Sequence, residues 1–115
     1  MPYSQGDLIL LKNPVKLPGG AELKHPVLII NSKRGGYEQY YTGVMMTGTP
    51  KNDRYSFKCE NQMFTSPLGK ESCEFRTYLI FGFNEDDISV LKNTMKKPHL
   101  IALINQIKDC IFNID

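Results

Sequence analysis

An unbroken apolar run, Val27-Leu28-Ile29-Ile30, is the feature that most constrains the fold of this chain. Pro26 precedes the run and Asn31-Ser32 follows it. A short β-branched run between such residues predicts a strand buried on both faces, with the proline at its first residue, where no ladder N–H is needed. Lys24 and His25 stand immediately before Pro26. The core therefore begins beside a histidine, and a functional site is expected at that end of the strand.

Other short β-prone runs follow one another without a helical pattern between them. They are rich in aromatic and β-branched residues, and several alternate between apolar and polar positions. The predicted strands are Leu8–Leu11, Tyr37–Met46, Tyr55–Cys59, Phe75–Phe83 and Ile88–Leu91. Closely spaced strands of this kind predict a mainly β fold, either a small antiparallel barrel or a sandwich.

The period of the pattern changes near the C-terminus. From Pro98 onward, apolar residues recur at Leu100, Leu103, Ile107 and Ile111. This spacing predicts one amphipathic α-helix that covers an open face of the sheet, with the proline at its first position. Residues 15–24, with Pro18, Gly19 and Gly20, predict a mobile loop, and residues 32–36 predict a turn.

Length and cysteine content define the broad class of protein. A chain of 115 residues predicts one domain, residues 1–115, and its formal charge of +2 permits a polyanionic partner. Three widely spaced cysteines without zinc-like spacing predict reduced thiols in a cytoplasmic protein that binds no metal or cofactor. The N-terminal apolar run is far shorter than the ~20 residues of a membrane span, so no membrane is expected as a partner.

The sequence carries no P-loop, G-x-S-x-G or H-E-x-x-H motif. The order of its elements nevertheless resembles the MazF/PemK family of toxins. The matching segments, in chain order, are GDLILLKNP, the loop VKLPGGAELK, HPVLIINS, the strand YYTGVMMTGTP and the C-terminal PHLIALINQIKDCIF. The resemblance extends as an ordered pattern over most of the chain.

The resemblance implies an SH3-like barrel of five to seven strands, usually a homodimer, that cleaves single-stranded RNA without metal and is neutralised by an antitoxin protein. Family members use an arginine before the proline and a threonine or serine at the end of the third strand. The threonine corresponds to Thr47, whereas the arginine position holds His25. Histidine is able to act as acid and base near neutral pH, but it lacks the bidentate fork of arginine.

The candidate catalytic residues are therefore His25 and Thr47. Candidate RNA-binding residues, chosen for charge or for their place in the family pattern, are Lys16, Lys24, Arg34, Arg54, Arg76 and Thr77. Each has a simpler alternative. His25 would be a surface histidine, and Thr47 would satisfy a turn. The cations at hairpin tips would be solvated, and Arg76-Thr77 would form a cross-strand polar pair. Tyr37, Tyr40 and Tyr41 are candidates for stacking on bases, with packing in the core as the alternative.

Two functions remain open from the sequence. The first is an endoribonuclease toxin that acts on single-stranded RNA. The second is a non-enzymatic SH3-like barrel, an inactive relative that binds protein or nucleic acid, and the histidine at position 25 motivates this alternative.

Overall fold

Six strands of this chain form one antiparallel sheet, and two very short strands pair separately. The computed structural model describes residues 2–16, 19–35, 38–69 and 73–112. The elements are β1 (Asp7–Leu11), β2 (Val15–Lys16), β3 (Glu22–Leu23), β4 (Val27–Gly35), β5 (Glu38–Thr47), β6 (Ser56–Lys58), β7 (Glu74–Asn84), β8 (Ile88–Thr94) and helix α1 (Lys97–Phe112). The strand order in the large sheet is β6-β7-β5-β4-β1-β8. The predicted mainly β fold with a C-terminal helix is confirmed.

The first part of β4, Val27–Ile29, has both faces buried, as predicted. Leu28 belongs to the cluster that packs under the helix, whereas Val27 and Ile29 belong to a cluster on the opposite face. The prediction of a turn at residues 32–36 is wrong for its first part, because β4 continues to Gly35 and pairs with β5 along that length. The ladder with β5 provides hydrogen-bond partners for the backbone groups of residues 32–35, which a turn would leave to solvent.

The segment 15–24 is not an irregular loop throughout. Val15 pairs with Leu23 and Lys16 pairs with Glu22, which makes a short hairpin of β2 and β3. Residues 17 and 18 lie outside the described residues. The glycines Gly19 and Gly20 both have φ of +94°, a conformation that residues with a side chain rarely adopt, and this allows the chain to reverse.

Helix α1 covers one face of the sheet. Leu100, Leu103 and Ile107 are buried in the cluster that also contains Val44 and Phe75, as the helical spacing predicts. Ile111 was expected on the same buried stripe, but 40% of it is exposed. The reason is that Ile111 lines an open cavity with Tyr55 and Cys110 instead of entering the core.

The two edge strands of the sheet, β6 and β8, are not hydrogen-bonded to each other, so the described ladders form an open sheet rather than a closed barrel. The segment after β6 reaches the far edge. Phe64 forms a bridge with Met95, and the N–H of Thr65 donates to the carbonyl of Thr94 at 2.9 Å. The segment after β6 therefore runs from the β6 edge of the sheet to the end of β8, the strand at the opposite edge.

Candidate functional site

A large irregularity in the pairing of β5 with β7 creates a cavity beside β5. Val44 pairs with Ile80, and Met46 pairs with Phe75. In β5 only Met45 lies between Val44 and Met46, whereas in β7 residues 76–79 lie between Phe75 and Ile80. A bulge leaves the extra residues of a strand unpaired and redirects their side chains. Residues 76–79 of β7 have no partner in β5, although Arg76 still pairs with Ser56 of β6 on the other side. This part of β7 therefore supplies side chains to a cavity beside β5.

The cavity has a volume of about 330 Å³ and brings together residues from four parts of the chain. We call it the β5–β7 cavity. Its lining residues are Leu23, His25, Met45, Thr47, Thr49, Lys51, Arg76, Tyr78 and Leu79. The two candidate catalytic residues, His25 and Thr47, thus line the same cavity, together with one candidate RNA-binding residue, Arg76.

His25 lies in the connection between β3 and β4 and is partly exposed. The next residue is anchored to β5, because the N–H of Met46 donates to the carbonyl of Pro26 at 2.9 Å. Proline has a fixed φ and cannot donate a backbone hydrogen bond, so this carbonyl is the backbone group through which Pro26 can join the sheet. The anchor holds His25 close to the end of β5, where Thr47 stands.

Thr47 is the last residue of β5. Its hydroxyl oxygen accepts a hydrogen bond from the N–H of Thr49 at 3.2 Å, which is the local turn interaction typical of threonine after a strand. This interaction uses the oxygen as an acceptor and leaves the hydroxyl proton able to be donated. Thr47 therefore satisfies a turn and also lines the cavity.

Arg76 is the centre of a buried ionic network. It is only 4% exposed, and its Nη1 and Nη2 donate to Oδ1 and Oδ2 of Asp53 at 2.9 and 3.0 Å, a bidentate pair. Nη1 also donates to Ser56 Oγ at 3.0 Å and to Glu74 Oε2. The network connects β7, β6 and the turn at Asp53.

Glu74 holds the loop that follows β5. This carboxylate is 1% exposed, and its Oε1 accepts the N–H groups of Lys51 and Asn52 at 2.8 and 3.2 Å. Its other oxygen accepts from the hydroxyl of Ser56 at 2.8 Å as well as from Arg76. Because Glu74 accepts the backbone N–H of Lys51, the carboxylate holds this part of the loop beside the cavity.

The network changes the protonation equilibria of its members. The hydrogen bond from Arg76 is the main reason that the pKa of Asp53 falls from 3.8 to about 2. Burial by itself raises the pKa of Glu74, but hydrogen bonds from Arg76, Ser56 and the backbone outweigh burial and lower it. The pKa of Arg76 is raised, chiefly by its hydrogen bond to Asp53. All three groups are therefore charged at neutral pH.

One donor of Arg76 has no partner among the described residues. Its Nε is buried and makes no hydrogen bond there, although Nη1 and Nη2 are engaged. A buried donor without a partner is costly, of the order of 1–3 kcal/mol. Arg76 also lines the β5–β7 cavity, but this buried N–H is not exposed to it, so the unpaired donor is a cost of the network rather than a contact offered to a ligand.

The remaining predicted RNA-binding residues do not line this cavity. Lys16 and Lys24 are exposed on or beside the β2–β3 hairpin, and exposed Arg54 lies over the ring of Tyr55 at 4.9 Å. The backbone of Arg34 pairs with Gln39, near the opposite end of β5 from Thr47, and its side chain lies outside the described part of the chain. Eight residues of strand separate Gln39 from Thr47, roughly 26 Å.

Thr77 has no exposed surface. Its hydroxyl donates to the carbonyl of Tyr55 at 2.9 Å, and its N–H donates to the same oxygen at 3.0 Å. Both interactions hold β7 against the residue that precedes β6. The side chain is thus occupied within the fold and is not accessible to RNA in this conformation.

Thr49, Lys51 and Tyr78 line the cavity but were not among the residues selected from the sequence. A signal for part of this set was present, because Glu74, Arg76 and Tyr78 alternate with Phe75 and Thr77 in a β-prone window. Period-two alternation places the first three on one face of a strand.

The three tyrosines predicted as candidates for base stacking do not line this cavity. Tyr41 is buried, Tyr40 is exposed, and Tyr37 lies outside the described residues.

No protein-family model matches this chain, and a search of curated proteins found no relative. Within the described ranges, no three His, Cys, Asp or Glu side chains are grouped so as to hold a metal ion. No helix in those ranges has the length and apolarity needed to cross a membrane.

Proposed function

We propose that this protein is an endoribonuclease that cleaves single-stranded RNA without a metal ion, and that it is the toxin of a toxin–antitoxin system. The observation that carries the proposal is the β5–β7 cavity. His25, Thr47 and Arg76 are far apart in sequence, yet they line one cavity together with Lys51. Metal-free RNA cleavage needs an acid–base group, a donor and a cation at one phosphate, and this set supplies all three.

In the proposed reaction the imidazole of His25 takes the proton of a ribose 2′-hydroxyl as that oxygen attacks the adjacent phosphorus. The bond from phosphorus to the 5′ oxygen of the next nucleotide breaks, and the imidazolium returns the proton to that oxygen. The products are a 2′,3′-cyclic phosphate and a 5′-hydroxyl. The hydroxyl of Thr47 and the ammonium of Lys51 offset the negative charge on the phosphorane oxygens, with the guanidinium of Arg76 as a nearby charge.

The proposal includes a finer description of the fold and its partners. We take the sheet as an SH3-like barrel whose edges are connected through the Phe64–Met95 bridge. A homodimer, a cognate antitoxin protein and a cytoplasmic location are part of the same proposal. The exposed apolar residues Ile111 and Phe112 at the end of α1, 40% and 75% exposed, support a protein partner at that end.

A non-enzymatic binding module is the second candidate, and one observation favours it. The guanidinium of Arg76 is already paired with Asp53 and Glu74, two carboxylates against one cation. A phosphate at the cavity therefore meets less positive charge than an unpaired arginine would provide. Binding without cleavage is the outcome that this arrangement predicts if His25 does not act as a base.

The test is cleavage of a single-stranded RNA by the purified protein in the presence of EDTA. We expect a 2′,3′-cyclic phosphate product and no cleavage of an all-2′-deoxy strand. His25→Ala should reduce the rate at least ~100-fold, since general acid–base catalysis contributes 10²–10⁴-fold. His99→Ala is the matched control, because His99 is the other histidine of the chain and does not line the cavity.

Expression in growing cells tests the toxin part of the proposal. Wild type should slow growth and degrade cellular RNA, and His25→Ala and Thr47→Ala should do neither. If wild type binds RNA without cutting it and without slowing growth, the binding module replaces the enzyme. If both variants remain toxic, the assignment of the site to this cavity is wrong.

A further inference from the structure

A second, larger cavity adjoins the β5–β7 cavity. It has a volume of about 680 Å³ and is lined by Lys51, Asp53, Tyr55, Arg76, Tyr78, Cys110 and Ile111. Lys51, Arg76 and Tyr78 line both cavities, so these side chains form the boundary between the two. Volumes of a few hundred Å³ are typical of small-ligand sites. At this boundary Lys51 and Tyr78 are exposed, whereas Arg76 is buried.

Aromatic and cationic side chains contact one another at this boundary and beside it. The guanidinium of Arg76 lies over the ring of Tyr78, 5.0 Å from its centroid, and Arg54 lies over Tyr55 at 4.9 Å. The two rings meet edge to face, with centroids 5.3 Å apart and an interplanar angle of 74°. We call this group the tyrosine platform. Each ring is held by a cation and by the other ring, so the platform is fixed before any ligand binds.

Tyr78 is 47% exposed even though it has these contacts. An exposed large aromatic ring, fixed in place and beside a cavity, differs from an aromatic residue that fills a core. Its charged neighbours are also informative. The charge of Arg76 is offset by Asp53 and Glu74, whereas Lys51 and Arg54 are exposed cations. A ligand that places a flat ring on Tyr78 would therefore find positive charge for its attached groups chiefly at Lys51 and Arg54.

We propose that the tyrosine platform stacks a base of single-stranded RNA, the nucleotide next to the phosphate held in the β5–β7 cavity. Base stacking on aromatic side chains, with cations along the backbone, is the usual way in which proteins hold unpaired nucleotides. The inference rests on the proposed function for its substrate. It goes further by assigning Tyr78 and Tyr55 to a defined subsite and by placing the neighbouring nucleotide in the second cavity.

The test measures binding separately from cleavage. Oligonucleotides made entirely of 2′-O-methyl nucleotides lack the attacking hydroxyl and cannot be cut. Their affinity for the full-length protein is measured for wild type, Tyr78→Leu and Tyr78→Phe. Stacking worth 1–3 kcal/mol per base corresponds to a roughly 5- to 150-fold weaker binding for Tyr78→Leu, whereas Tyr78→Phe keeps the ring and should bind within about twofold of wild type.

Tyr40→Leu tests the competing candidate for base stacking, because Tyr40 is 45% exposed but lines neither cavity. A set of oligonucleotides, each with one base removed, then locates the contact. Wild type should lose affinity at one position more than at the others, and Tyr78→Leu should be insensitive to base removal at that position. Circular dichroism of each variant checks that the fold is retained.

The possible results separate this inference from the proposed function. Tyr78-dependent binding without any cleavage of unmodified RNA would support the platform and reject the endoribonuclease. Cleavage by wild type with an unchanged affinity and base-removal profile in Tyr78→Leu would reject the platform and leave the endoribonuclease standing. An equal loss of affinity in Tyr40→Leu, or no binding of any oligonucleotide, also rejects the platform.

Discussion

At the scale of single residues, Glu74 is the side chain on which the candidate site depends most. A carboxylate that is 1% exposed would be strongly destabilising unless it were paired and hydrogen-bonded. Glu74 accepts from Arg76, Ser56 and two backbone N–H groups. It therefore compensates the charge of Arg76 and at the same time fixes the loop that carries Lys51.

Replacement of Glu74 by glutamine should destabilise the protein by about 1–3 kcal/mol, because the amide NH₂ cannot accept the hydrogen bonds that one carboxylate oxygen accepts and leaves buried donors unsatisfied. The free energy of unfolding from urea denaturation measures this change. Glu85→Gln, at an exposed carboxylate in the turn before β8, is the control and should change stability by less than about 0.5 kcal/mol. A loss below 1 kcal/mol for Glu74→Gln would contradict the central role of the network.

At the scale of elements, β5 is the central strand, and one glycine allows it to pack. β5 pairs with β4 on one side and β7 on the other. A Cβ at Gly43 would lie 2.3 Å from Cγ1 of Val27 and 2.8 Å from Cε1 of Phe83. Both neighbours are buried, and the branched side chain of Val27 has little rotamer freedom. The close approach therefore requires a residue without a side chain at this point.

Gly43→Ala should destabilise the protein by about 1–3 kcal/mol, the usual cost of overpacking a core. Gly82→Ala in β7 is the matched control, because there the nearest atom is the carbonyl oxygen of Tyr41 at 3.7 Å, an ordinary contact. That variant should be unchanged or stabilised by up to ~1 kcal/mol, since glycine is unfavourable within strands. Thermal and urea unfolding of both variants provide the comparison, and equal stabilities would contradict this account of β5.

At the scale of the whole molecule, stability should depend on acid pH through the same network. The pKa of Asp53 is about 2 in the folded protein and 3.8 ordinarily, and the pKa of Glu74 is also lowered from 4.5. In both cases the unfolded chain binds the proton more readily than the folded protein does. The contribution of these carboxylates is therefore complete above their ordinary pKa values and is lost as the pH falls through the folded ones.

The free energy of unfolding should accordingly be nearly constant from pH 7 to about 5 and should decrease as the pH falls from about 4.5 to 2. Urea denaturation at a series of pH values measures this dependence. Asp53→Asn removes one of the two groups, so its stability should be lower at neutral pH and should decline less steeply in acid. A variant with the same slope as wild type would show that Asp53 is not a source of the dependence.

Local patterns were sufficient for much of the fold. Burial of Val27, Leu28 and Ile29, and the helix that begins near Pro98, follow from residue type and period, because burial of a strand or of one helix face is a property of neighbouring positions in the chain. The same patterns failed where pairing with a distant segment decided the outcome. The turn expected at residues 32–36 was extended into β4 by its ladder with β5.

The candidate site shows the same division between local and distant effects. The sequence by itself determined that a histidine stands at the mouth of a buried strand and that a threonine ends another. Only the tertiary structure placed Arg76 within a network that reaches Asp53, 23 residues away, and set residues 76–79 opposite Met45. The physical reason is that period-two alternation specifies the face of a side chain but not the register of its strand, and register was decided by packing of the whole sheet.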